Sequence, residues 1–80
     1  MFFYTYVLKS QKDGQLYIGW TTDLNKRVIM HNRGGVGATK YRMPLDLLYY
    51  EACKSKTGAI SREKQLKTGF GRAYLKRRLQ

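Results

Sequence analysis

The dipeptide Asp13-Gly14 separates two runs of aromatic and β-branched residues, one over 2–9 and one over 16–20. Asp-Gly between such runs is a strong hairpin signal, because glycine accepts the positive φ that tight turns demand. This pair commits the chain to an antiparallel sheet. In the first run Phe2, Tyr4, Tyr6 and Leu8 alternate with Phe3, Thr5 and Val7. Both sets carry apolar groups, so this strand is expected to be central and covered on both faces.

Thr21-Thr22-Asp23 offers N-cap oxygens for a helix over about residues 23–33, with Leu24, Val28 and His31 in one stripe and Arg27 beside it. Asn32-Arg33-Gly34-Gly35 closes that helix, and a glycine-rich loop continues to Lys40. A third apolar run, Leu45 to Cys53, follows Pro44. Ser55 to Thr57 caps a second helix over about 57–68, Thr68-Gly69-Phe70-Gly71 reads as a break, and Arg72 to Leu79 as a short basic helix. The order β-β-α-β-α-α predicts an α+β fold, a small three-stranded antiparallel sheet flanked by helices. Eighty residues are expected to form one domain, 1–80, with a modest core.

Sixteen Lys and Arg against five Asp and Glu leave a net charge of +11, spread from Lys9 to Arg78. So large an excess repels itself, and a polyanion is the partner that offsets it. Nucleic acid is favoured over the ribosome or an anionic membrane surface. A hydrophobic content of 42% argues against a disordered basic tail. Cys53 is the only cysteine, which excludes an intramolecular disulfide and a cysteine-based zinc site; it is expected in the core. No apolar stretch reaches about 18 residues and the N-terminus lacks signal-peptide features, so a cytoplasmic location without a membrane partner is expected.

The five carboxylates divide by position. Asp13 belongs to the turn, Asp23 to the first helix cap or to a pair with Arg27, and Asp46 and Glu51 to the ends of the third strand, where either suits a solvated edge charge. Glu63 lies mid-helix in SREKQLK, flanked by Arg62 and Lys64. A lone acid in so positive a field stays ionised and suits a hard cation, although on composition alone an i, i+4 pair with Lys67 is the favoured explanation. Taken singly, Tyr6 and Tyr17 are sheet packing and His31 is a half-buried helix residue.

Taken together, YTY at 4–6, LYIG at 16–19, the Arg and His of LNKRVIMHN and the later REK resemble the GIY-YIG nuclease domain, over about residues 2–79. Tyr17 follows Tyr6 by eleven residues and Arg27 follows Tyr17 by ten, the order and spacing of that family. The likeness is greatest to its minimal single-domain members, related to the N-terminal nuclease domain of the bacterial excinuclease. It departs in reading YTY for GIY, and LKTGFGR where an Asn often follows the Glu helix; Thr68 is the available substitute.

The resemblance implies a metal-dependent endonuclease that hydrolyses phosphodiester bonds in duplex or branched DNA, of low or structure-based specificity, in DNA repair or recombination. Its implied catalytic set is Tyr6, Tyr17, Arg27, His31 and Glu63. Glu63 would hold one Mg²⁺ or Mn²⁺, and no small-molecule cofactor is implied. Arg27 would clamp the phosphoryl oxygens, and Tyr17 would serve as general base with Tyr6 positioning the water, or the two in exchanged roles, the nearby arginine and metal favouring phenolate. His31 would take a proton or contact phosphate. Arg33, Lys40, Arg42, Lys67, Arg72, Lys76, Arg77 and Arg78 would contact backbone phosphates, about five of them giving a log–log salt slope near −4 to −5. The alternatives are a non-catalytic nucleic-acid-binding module on the same scaffold, or an RNA-associated basic protein.

Overall fold

The computed structural model describes residues 1–79. Three strands, β1 (Phe3–Ser10), β2 (Leu16–Thr21) and β3 (Leu45–Cys53), form an antiparallel sheet in the order β2-β1-β3. Three helices complete the expected α+β order: α1 (Leu24–Asn32), α2 (Lys56–Leu66) and α3 (Gly69–Arg78). β1 is the central strand. Gly14 takes φ +71° in the hairpin turn, as its Asp-Gly sequence requires.

The two faces of β1 pack against different helices. Tyr6 and Leu8 join Leu45 in a cluster flanked by Leu24 and Val28 of α1. Val7 joins Ile18, Leu66 and Leu75 in a second cluster beneath α2 and α3, with Tyr49 and Tyr74 against it. Thr5 Oγ1, also buried, donates to Ala59 O of α2 at 2.9 Å. Asn32 ties α1 to β3 in both directions: its Oδ1 accepts from Leu45 N at 2.7 Å and its Nδ2 donates to Leu45 O at 2.9 Å.

Four expectations need correction. Gly69-Phe70-Gly71 does not break the chain; it is the first turn of α3, capped by Thr68, whose Oγ1 accepts from Gly71 N at 3.2 Å. Gly71 is there because α3 starts hard against the end of α2, where a Cβ would fall 2.2 Å from Gln65 O. Cys53 is half-buried at a strand end, donating to Ser55 O, rather than a core residue. A register shift opposite Val7 and Leu8 places Leu48 outside the ladder, and Leu47, Leu48 and Tyr50 are exposed. Glu51 is no solvated charge: Arg62 Nε and Nη2 both donate to its carboxylate, pinning α2 to β3.

Candidate active site

Pairing of β1 with β2 sets Tyr6 opposite Gly19, and Tyr17, two residues before Gly19, shares its face. Glycine is needed at 19 for space. A Cβ there would lie 2.6 Å from the Tyr6 hydroxyl and 3.2 Å from the Tyr17 ring. The Tyr6 phenol therefore lies across an outer strand of the sheet, and its ring centroid is 6.4 Å from that of Tyr17.

Helix α1 adds two side chains one turn apart. Arg27 Nε donates to the Tyr6 hydroxyl at 3.4 Å, and its Nη1 reaches Met30 Sδ at 3.5 Å. The alternative pairing with Asp23 is not formed, because that carboxylate caps α1 by accepting from Lys26 N. His31 is 0% exposed. Its Nε2 lies 2.8 Å from the Tyr6 hydroxyl, its Nδ1 lies 2.7 Å from Thr39 Oγ1, and its ring packs 5.0 Å from that of Tyr17.

Burial sets the electrostatics of this cluster. It pushes the Tyr6 phenol above its ordinary value by more than the Arg27 hydrogen bond pulls it down, and the Glu63 carboxylate adds a smaller upward push. With Arg27 alone beside it, Tyr6 stays a neutral phenol at pH 7. Burial, and then the charge of Arg27, lower His31 to about 4. At pH 7 its imidazole is neutral, and its two ring nitrogens face Tyr6 and Thr39.

Glu63 approaches from α2. Its charge acts on Tyr6, and Lys67 Nζ donates to its Oε2 at 3.4 Å, the expected i, i+4 pair. A cleft of about 470 Å³ lies alongside, lined by Leu16, Tyr17 and Ile18 of β2 together with Lys67 and Arg72. Because β2 is an outer strand, side chains from α1 and from α2 can both reach its neighbourhood.

Among the described residues no three His, Cys, Asp or Glu side chains gather into a metal-binding group. A divalent ion here would rest on one carboxylate. Glu63 suits that demand, since its only ion-pair partner among the described residues sits at a loose 3.4 Å, and Mg²⁺ needs only one or two carboxylates beside water and phosphate. Thr68 does not replace the missing Asn. Its hydroxyl donates to Gln65 O and accepts from Gly71 N, so it is spent on joining α2 to α3.

The basic residues separate into groups. Lys67 and Arg72 border the cleft with Tyr17. Arg33, Lys40, Lys76, Arg77 and Arg78 are exposed elsewhere, the last three in the final turn of α3, where they also complement its dipole. Arg42 pairs with Asp13 at 3.0 Å and is partly buried, which binds the loop to the hairpin turn. Two residues escaped the sequence reading. Gly19 carries the signal that a glycine inside a strand marks a close approach. Thr39 carries none, since its partner lies eight positions back on α1.

No described helix is long and apolar enough to cross a membrane. Residues 2–78 match the model of the GIY-YIG catalytic domain. A UPF0213 protein of Staphylococcus saprophyticus is 46% identical over 66 residues, covering 81% of this chain and 79% of that one. A UPF0213 protein of Streptococcus pyogenes is 52% identical over 61 residues, and the match covers 75% of this chain but only 65% of the relative. The solution NMR structure of the UPF0213 protein BH0048 from Bacillus halodurans superposes with a TM-score of 0.57 at 33% identity, covering 94% of this chain and 82% of that one. With its sheet order, its Tyr17-Ile18-Gly19 strand and these matches, the chain belongs to the GIY-YIG catalytic-domain family.

Proposed function

We propose that this protein is a metal-dependent endonuclease acting on DNA. The observation that carries the reading is the meeting of Tyr6, Tyr17, Arg27 and the Glu63 charge beside β2, next to a cleft bordered by Lys67 and Arg72. Phosphodiester hydrolysis needs an activated water and neutralisation of the phosphoryl oxygens. Tyr17 is half-buried and is one of the residues that line the cleft, so it is assigned the role of general base. Tyr6 is 0% exposed and its hydroxyl accepts from Arg27 Nε, so it is assigned the positioning of Arg27 rather than of the water. The Arg27 guanidinium, with Nε on Tyr6 and Nη1 only loosely on Met30 Sδ, would turn its terminal nitrogens to clamp the non-bridging oxygens and stabilise the added charge of the transition state. Glu63 would hold a Mg²⁺ or Mn²⁺ ion, which would polarise a phosphoryl oxygen. Lys67, Arg72 and the exposed arginines hold the backbone without reading bases, which suits structure-based or low specificity. A role in DNA repair or recombination and a reducing, cytoplasmic setting fit this activity and the free thiol of Cys53.

A nicking assay over linear, flapped and four-way-junction DNA with Mg²⁺ or Mn²⁺ tests the reading. Cleavage is expected to vanish in Glu63→Gln and in excess EDTA, with the fold unchanged. Activity that persists in either condition sinks it. One observation favours a second reading: Thr68, the residue in place of the family's Asn, has its hydroxyl engaged in its cap. Salt-dependent DNA binding with no cleavage under any of these conditions would identify a non-catalytic binding module.

A further inference from the structure

His31 is the only histidine in the chain, it is buried, and hydroxyls occupy both of its ring nitrogens. A neutral imidazole carries one N–H, so one nitrogen must donate and the other accept. The two assignments leave different books of hydrogen bonds. With the proton on Nε2, the Tyr6 oxygen receives both His31 and Arg27, and the Tyr6 O–H finds no acceptor among the described residues although Tyr6 is 0% exposed. A buried donor without a partner is costly. With the proton on Nδ1 every donor is used: Tyr6 O–H to Nε2, Arg27 Nε–H to the Tyr6 oxygen, Nδ1–H to Thr39 Oγ1, and Thr39 O–H to Val36 O at 3.5 Å. Chemistry agrees, since a phenol is a stronger donor and a weaker acceptor than an aliphatic alcohol.

We infer that Thr39 is a positioning residue that accepts the Nδ1 proton of His31, fixes the imidazole as the Nδ1–H tautomer and so turns the Tyr6 hydroxyl proton inward, leaving its oxygen to hold Arg27. Four side chains from a loop, a helix and a strand then form one directional chain, Arg27 to Tyr6 to His31 to Thr39, with each link donating to the next. Arg27 is held through Nε, with Nη1 on the weak acceptor Met30 Sδ, which leaves its terminal nitrogens only loosely engaged. The tautomer stands independently of any activity; its effect on turnover rests on the endonuclease reading.

The single histidine makes the test clean, because ¹⁵N NMR of the full chain at pH 7 shows one imidazole. The wild type is expected to show a protonated Nδ1 and a bare Nε2. Thr39→Ser keeps that pattern, whereas Thr39→Val moves the proton to Nε2 or averages the two forms. A wild-type proton on Nε2, or a tautomer unaffected by Thr39→Val, overturns the inference, and the wild-type spectrum decides even if the valine variant fails to fold. In the nicking assay Thr39→Val is expected to lower kcat on the order of tenfold with KM unchanged, and Thr39→Ser to restore it. Full kcat with an altered tautomer would overturn the link to Arg27. A wild type that does not nick would remove the endonuclease reading and leave the NMR result to decide the tautomer.

Discussion

Tyr6 and Val7 are neighbours on β1, point to opposite faces and are both 0% exposed, yet their surroundings differ in kind. Val7 meets Ile18, Leu66 and Leu75, an apolar cluster that holds α2 and α3. Tyr6 meets a hydroxyl–imidazole–guanidinium chain, with Leu8, Leu45 and α1 around it. The Val7 face can gain from dispersion and water exclusion alone. The Tyr6 face must satisfy directional partners one by one, and it does so beside Arg27, the proposed phosphate clamp. Burial by itself therefore does not mark a residue as structural. What its polar atoms meet does.

The contrast breaks most visibly at Arg27. Arg27→Ala is expected to cost about 10²–10³ in nicking rate, on the scale of losing one preorganised charge-stabilising donor, with a melting temperature close to wild type. A proportional fall in stability would move Tyr6 and its partners into the structural column. Leu66→Ala on the other face should do the opposite: about 3 kcal/mol of stability lost in denaturant titration, with activity per folded molecule retained. Loss of activity without loss of stability there would erase the distinction between the faces.

Acid sharpens the comparison more gently. His31 is held at about 4 in the fold against 6.5 ordinarily, so between these values the unfolded chain binds more protons. Its contribution is present in full above about 6.5 and is lost as pH falls toward 4. Some 2 kcal/mol should go between pH 7 and pH 5, measured by urea unfolding at each pH. A His31→Gln variant should lose that dependence, and a wild-type stability flat across the window would contradict a neutral, buried imidazole.

Much of the fold was legible because it follows from local rules. The Asp13-Gly14 turn, the two-sided apolar β1 and the cap at Asp23 each act within a few residues of themselves. What failed was set by distance. Gly69-Phe70-Gly71 looks like a break unless one knows that α2 ends where only a glycine at 71 fits. Arg42 looks like a free cation until Asp13, 29 positions earlier, is beside it. The exposure of Leu47 and Leu48 follows from a register shift that apolar patterning does not reveal. At the site, family spacing named Tyr6, Tyr17, Arg27 and Glu63, but not that Tyr6 would be fully buried, nor that Thr39 would lie on the far side of His31.

A doorway one hydrogen atom wide runs through β2 at residue 19. The phenol that leans across it is in touch with the arginine on one side and feels the carboxylate brought by α2 from the other. Closing that opening with a methyl would jolt both halves of the machinery at once while sparing the oily layer under α2 and α3. The chain thus keeps its shape and its proposed trade on separate accounts, and the thinnest residue of the sheet is where they touch.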